Sequence, residues 1–246
     1  MPKPILILLA GKISPSFGLT ENFADMFIRQ ADYSQGETVV FPAYNRTPPK
    51  KLDSYGGIIV TGSLAMVTRK SKWSQKLGET MARAHEQKIP LLGVCYGHQL
   101  LADTLGGVVD YHPKGKELGT FTIYLKENAH QHHLLKDIPP TFKANLSHSQ
   151  SVLVPPQEAK VLAQSDHDGA QILAYGERTL TLQFHPEFDG SVTRAFANGH
   201  NKTKKLEPPL SPDTPEKPGF PIEDTPHAVS ILQNFVNFCY APNVDL

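Results

Sequence analysis

Apolar residues along this chain fall into short, nearly continuous runs, separated by segments in which they recur at helical spacing. The runs PILILL (4–9), TVVFPAY (38–44), GGIIVTG (56–62) and IPLLGVC (89–95) read as strands. Apolar side chains at successive positions predict strands covered on both faces. Between them, LTENFADMFIRQA (19–31) and KWSQKLGETMARAHEQK (72–88) read as amphipathic helices, the second with Trp73, Leu77, Met81 and Ala84 along one stripe. Alternating strands and helices predict a parallel sheet with right-handed crossovers. After Gly107 the pattern changes. GTFTIYL (119–125), TFKANLS (141–147), KVLAQS (160–165), AQILAYG (170–176) and RTLTLQF (178–184) follow one another with little helix between them, which predicts antiparallel strands added to the same body. GERT (176–179) is the expected hairpin turn. The last helix is HAVSILQNFVNFCY (227–240), with Val229, Leu232, Phe235, Val236 and Cys239 on one face.

Composition narrows this picture. The chain has 246 residues, 39% hydrophobic and 20% charged, enough for one sizeable α/β core, so residues 1–246 are expected to form a single domain. Its 24 basic and 24 acidic residues cancel, which argues against nucleic acid or an anionic membrane as partner. The first apolar run is too short to span a membrane and lacks a signal-cleavage pattern, so a cytoplasmic location is expected. There the two cysteines, Cys95 and Cys239, are expected to stay reduced. Segment 200–226 holds seven of the 21 prolines, a density that excludes helix interior and sheet centre. It reads as an insertion: a surface loop docked on the body, or a lid or partner contact.

The chemistry gathers around LLGVCYGHQLLADTLGG (91–107). A strand ending in Gly93-x-Cys95-x-Gly97 and running straight into a helix has the mechanics of a nucleophile elbow, in which the turn is sharp and neighbouring backbone comes close. The amide of Tyr96 opens the helix, and helix N-terminal amides favour a thiolate and can donate to a developing oxyanion. Leu100, Leu101 and Leu105 are expected to face inward, and Gly106-Gly107 to stop the helix. A lone cysteine is otherwise a small buried hydrophobe. A cysteine nucleophile needs a base and a group that orients it. TLTLQFHPEFDG (179–190) supplies both, because in extended backbone His185 and Glu187 point to the same side. Pro186 puts the pair at a strand end.

Together, GVCYGHQLLADTLGG and LQFHPEF resemble the class I glutamine amidotransferases, in particular chains similar to the glutaminase domain of GMP synthase. IIVTGS and LSHSQSV (146–152) sit where that family has two further motifs. The resemblance implies a flavodoxin-like fold, a mostly parallel central sheet flanked by helices, with an antiparallel extension. It implies Cys95 as nucleophile, His185 as general base and acid, and Glu187 as its orienter. Gly62 matches the oxyanion-loop glycine, partnering the Tyr96 amide. Gln99, His148 and Ser149 match positions that contact the glutamyl part of the substrate, the last two through backbone. It implies a small-molecule substrate; no cofactor is expected, and no metal, since no Cys or carboxylate set has zinc-like spacing. The sequence departs from the family in two places. Thr61-Gly62-Ser63 stands where Gly-Gly-Pro is frequent, and Ser147-His148-Ser149-Gln150 stands where GMP synthase has Ser-His-Gly-Asp, with an acidic residue thought to serve coupling to a synthetase.

Three functions follow. The first is release of ammonia and glutamate from glutamine, with or without transfer to an acceptor on a partner synthetase. The second is stand-alone hydrolysis of other γ-glutamyl amides, and the third a catalytically inactive binding module, against which the intact Cys95, His185 and Glu187 argue. No Gly-rich ATP-pyrophosphatase loop occurs in the sequence. HQHH (130–133) and KGKEL (114–118) read as solvated segments, Cys239 as packing, and YGGIIVTG lacks the order of a dinucleotide fingerprint.

Overall fold

The computed structural model describes residues 2–203 and 222–241; most of the predicted insertion at 200–226 lies outside them. The chain begins with β1 (Ile5–Leu8), α1 (Phe23–Gln30), β2 (Thr38–Phe41), β3 (Gly57–Val60), α2 (Lys72–Glu86), β4 (Leu91–Val94) and α3 (Tyr96–Thr104). It continues with β5 (Val108–Tyr111), β6 (Glu117–Leu125), β7 (Thr141–His148), β8 (Gln150–Val154), β9 (Lys160–Gln164), β10 (Ile172–Ala174), β11 (Thr179–Leu182), α4 (Gly190–Thr203) and α5 (Pro226–Tyr240). Nine strands form one sheet in the order β2-β1-β3-β4-β11-β10-β9-β6-β7, while β5 and β8 make a separate antiparallel ribbon. The pairs from β2 to β11 are parallel and those from β11 to β7 antiparallel. This is the expected α/β architecture, a parallel half of flavodoxin-like order with an antiparallel extension.

Alternation along the strands builds the two cores. Ile5 and Ile7 of β1 join an apolar cluster with Phe23, Met26 and Phe27 of α1 and Ile231, Leu232 and Phe235 of α5. Leu6 and Leu8, pointing the other way, join Leu77 and Met81 of α2 and Leu100 and Leu101 of α3. Every residue of β1, β3 and β4 is buried, as strands covered on both faces must be. β2 departs from that expectation because it is the sheet edge, and Val39 and Val40 are exposed.

Local chemistry explains the other differences. α1 starts at Phe23 rather than 19 because Asn22 and Asp25 form a reciprocal capping box. In α5 the buried stripe runs through Ala228, Ile231, Leu232, Phe235, Val236 and Cys239, and Val229 stands at its margin. Leu105 is likewise only half-buried, since α3 ends one residue earlier and Gly106 turns the chain with φ +90°. Two segments predicted to be solvated are so only in part. Lys116 and Glu117 are buried at the start of β6. His132 is buried too: its Nδ1 accepts the Leu134 N–H at 3.3 Å, and its ring stacks on that of His133 beside Glu177. Cys239 packs as expected, its sulfur filling the space that a side chain on Gly57 would need, and burial pushes its thiol pKa up. Among the described residues no helix is long and apolar enough to cross a membrane.

Candidate functional site

The site lies at the carboxyl ends of the parallel strands, where open α/β sheets bind ligands. Cys95 follows β4 directly and takes φ +49°, ψ −96°, one of three non-glycine residues with positive φ among those described. A bulky residue held there costs about 1–3 kcal/mol and persists only where its surroundings over-determine it. Here the Cys95 N–H donates to the Leu182 carbonyl of β11 at 2.7 Å, and its own carbonyl accepts from Gln99 N–H at 3.0 Å inside α3. The flanking glycines are required by close approach. A Cβ on Gly97 would lie 2.8 Å from the Val60 carbonyl oxygen, and one on Gly93 3.0 Å from the carbonyl of Gly97. The turn therefore closes only with glycine at both places.

His185 and Glu187 follow β11, the neighbour of β4. Both are buried, and His185 Nδ1 donates to Glu187 Oε1 at 2.8 Å. A carboxylate on Nδ1 selects the tautomer that leaves Nε2 free to take a proton. Nε2 is buried and makes no hydrogen bond. The ring is clamped flat against Phe188, centroids 3.9 Å apart and planes 12° from parallel. Burial disfavours the imidazolium, but the charges of Glu187 and Cys95 outweigh it and raise the His185 pKa. Cys95 follows β4 and His185 follows β11, its parallel neighbour, so both stand at the same edge of the sheet.

Gly62, just past β3, packs on that imidazole: a Cβ there would sit 2.8 Å from His185 Cε1. Tyr96 sends its side chain away from the site. Its hydroxyl meets Ser74 Oγ at 2.6 Å, its ring stacks on Trp73, and burial pushes its pKa up to about 12. Only its amide belongs to the elbow, as the first N–H of α3, with no helical acceptor.

A cavity of about 230 Å³ opens on Cys95, lined also by Gln99, His148, Ser149 and Gln150. The three residues predicted to contact substrate are thus brought together beside the sulfur. Gln99 Nε2 donates to the Gln150 carbonyl at 2.6 Å and to Gln183 Oε1 at 3.0 Å, so it ties α3 to the 147–150 segment. The side chain of His148 points into a buried Glu117. A larger recess of about 800 Å³ lies at the opposite ends of the parallel strands, against Lys3, Gly56, Pro90 and Tyr240, and holds none of the predicted site residues.

Sequence reasoning missed several contributors. Ser14, Ser16 and Phe17, from a one-turn helix after β1, form one wall of the cavity. The Ser14-Pro15-Ser16 order was a legible signal, with Ser14 Oγ accepting the Ser16 N–H and proline at the first helical position. Asn145 fixes the turn that carries the base: its carbonyl accepts the His185 N–H at 2.8 Å and its Nδ2 donates to the Phe188 carbonyl at 3.0 Å. No local pattern announces it, because its partners lie some 40 residues away, as the 43-residue separation from Phe188 shows.

Comparison with known proteins bears on the family and the fold. The sequence profile of the family "Glutamine amidotransferase class-I" matches residues 20–198. Gamma-glutamyl peptidase 4 of Arabidopsis thaliana is 29% identical over 165 residues, covering 64% of this chain and 66% of the relative. The glutamine-hydrolyzing GMP synthase of Aeropyrum pernix is 34% identical over 147 residues, 57% of this chain and 27% of the relative. In both cases the match spans less than two thirds of the relative's own length. A crystal structure of a glutamine amido transferase from Methylobacillus flagellatus superposes with a TM-score of 0.73 at 17% identity, covering 100% of this chain and 99% of the other, which speaks for the fold.

Proposed function

Because the chain belongs to the class I glutamine amidotransferase family, we propose that it cleaves the side-chain amide of glutamine or of a related γ-glutamyl amide through a thioester on Cys95. The observation that carries this reading is the strained Cys95 beside an imidazole whose Nδ1 is taken by Glu187 and whose Nε2 is open. Proton transfer from Sγ to His185 Nε2 gives the thiolate, which attacks the amide carbon. The oxyanion develops toward the Tyr96 amide and the backbone at Gly62. The His185 imidazolium returns its proton to the departing nitrogen, so that an amine leaves, ammonia in the case of glutamine, and a γ-glutamyl thioester remains. His185 then deprotonates water, which attacks the thioester, and glutamate departs as the thiolate reforms.

One observation favours γ-glutamyl amides other than glutamine, hydrolysed without a synthetase. Gln150 stands where GMP synthase carries its acidic residue, and its side chain is turned inward. Oε1 accepts the Val67 N–H at 3.0 Å and Nε2 donates to Thr68 Oγ1 at 2.6 Å. This position therefore offers no carboxylate to a partner. Likeness to a γ-glutamyl peptidase supports the same reading. The test is glutamate release by the purified protein alone from glutamine and from a panel of γ-glutamyl dipeptides. Turnover of dipeptides well above glutamine supports independent hydrolysis, and turnover of neither, with Cys95 intact and reduced, refutes both readings.

A further inference from the structure

His148 stands at the cavity wall, yet its imidazole is nearly inaccessible, 4% exposed. Both ring nitrogens face acceptors. Nε2 lies 2.8 Å from Glu117 Oε2 and Nδ1 lies 3.0 Å from the Gln150 carbonyl oxygen. A backbone carbonyl can only accept, so Nδ1 carries a proton. Glu117 is fully buried and takes two further donors, Ser165 Oγ–H on Oε1 at 2.9 Å and Gln171 Nε2–H on Oε2 at 3.0 Å. A carboxyl surrounded by donors has no acceptor for a proton of its own, so the Glu117 to His148 bond is carried by Nε2–H.

We propose that His148 is a buried imidazolium held by Glu117, and that this cation is a positioning residue for the thiol chemistry, setting the Ser147–Gln150 cavity wall and placing a fixed positive charge behind the Cys95 sulfur. It rests on the reading of Cys95 as the nucleophile. The ring reaches over Ser149 to the Gln150 carbonyl, which also accepts from Gln99, so one oxygen joins the wall to α3. Sγ of Cys95 itself approaches the Ser147 carbonyl at 3.9 Å, next to His148 in the chain. The charges around the ring agree. Burial works against the cation, but Glu117 of β6, Asp168 of the β9–β10 connection and Cys95 of the elbow raise the His148 pKa above its ordinary value. Two other histidines feel His148 and are driven the opposite way. His98 of α3 is lowered to about 4 by burial, and His112, after β5, is lowered by burial and by His167.

Glu117→Gln tests this with almost no change of shape. A glutamine amide nitrogen at the Oε2 position donates to Nε2, so His148 keeps its Nδ1–H bond to Gln150 and loses its second proton, while the Gln171 amide turns its unpartnered Oε1 toward the new donor. The first measurement is the set of imidazole ¹⁵N shifts in the wild-type protein. His148 is expected with both nitrogens protonated at pH 8, and a neutral ring there overturns the proposal without need of the variant. The second is the pH profile of Cys95 alkylation by iodoacetamide, which needs no substrate and so stands apart from the question of which amide is cleaved. Glu117→Gln is expected to slow alkylation at pH 7 by at least about tenfold, the effect of removing a charge contribution of one pKa unit. An unchanged profile in a folded variant overturns the positioning role. If the variant alkylates normally but the wild-type protein hydrolyses no γ-glutamyl amide, both ideas fail on separate grounds.

Discussion

Glu187→Gln removes the charge from the His185 pair. The carboxylate is fully buried, 2.8 Å from Nδ1, and its charge, with that of Cys95, overcomes the desolvation of the imidazolium. An opposite charge this close moves a pKa by about 1–3 units. That is about 1.4–4 kcal/mol of preference for the imidazolium, or roughly a 10- to 10³-fold effect on the step that takes the thiol proton. A glutamine amide can also donate to Nδ1 and so place the proton on Nε2, the wrong tautomer, which in a serine triad costs about 10⁴ in kcat. A loss in kcat/KM of about 10²- to 10⁴-fold is therefore expected, with KM little changed, measured as glutamate release across pH 6–9. Stability has its own sign. The folded pKa of His185 is raised from the ordinary 6.5 to about 10, so its contribution is complete below about pH 6.5 and is lost as pH climbs toward the folded value. The wild type should thus exceed the variant in Tm most at pH 6 and least at pH 9. A variant within about threefold of wild type in kcat/KM, or a stability gap that widens toward alkaline pH, refutes the ion-pair account.

Other perturbations give equally definite outcomes. Cys95→Ala should abolish glutamate release, and Cys95→Gly should do so while raising stability by up to about 1–3 kcal/mol, because glycine relieves the positive φ; a lower Tm for Cys95→Gly would show the elbow unstrained. Gly97→Ala puts a methyl 2.8 Å from the Val60 carbonyl and should cost about 1–3 kcal/mol in chemical denaturation along with most activity. Gly62→Ala presses on His185 Cε1 at 2.8 Å and should lower kcat far more than Tm. Asn145→Ala removes the amide that holds the Phe188 carbonyl, and should lower kcat and stability together, by about 1–3 kcal/mol for the latter.

The parallel half of the fold was legible because its strands are buried on both faces, so PILILL, GGIIVTG and IPLLGVC stand out without any knowledge of their neighbours. The extension was legible from its short runs and the GERT turn, which the structure places between β10 and β11. What escaped depends on distant partners. β5 and β8 are short, partly exposed strands that pair only with each other, and Gln150-Ser151 hides the start of β8. α4 begins at Gly190 and precedes the proline-rich segment, and its N-terminal amide finds Asp224 across the fold. Glu117 looked solvated within Lys-Gly-Lys-Glu, and its burial is offset by distant donors, His148, Ser165 and Gln171, the first 31 residues on. At the site, Cys95, His185 and Glu187 were readable because their spacing carries the chemistry. The residues that hold them, Asn145 and Glu117, have ordinary local surroundings.

This division has a physical consequence for how the site works. The parallel half contributes the thiol and its amides, fixed by steric necessity, since neither Gly93 nor Gly97 tolerates a Cβ and the Cys95 N–H is locked to β11. The antiparallel half contributes His185, Glu187 and the cavity wall, fixed by hydrogen bonds from Asn145, Gln99 and His148. β4 and β11 are adjacent and in register from Leu91–Thr179 to Val94–Leu182, so the two halves meet at a single parallel pair, with the nucleophile one residue beyond one strand and the base three beyond the other. A shift of one strand against the other would separate sulfur from imidazole, and the sheet ladder prevents it. Substitutions on the nucleophile side should accordingly act through packing and strain, with little dependence on pH. Those on the base side should act through charge, and their effects should change as the buried histidines titrate.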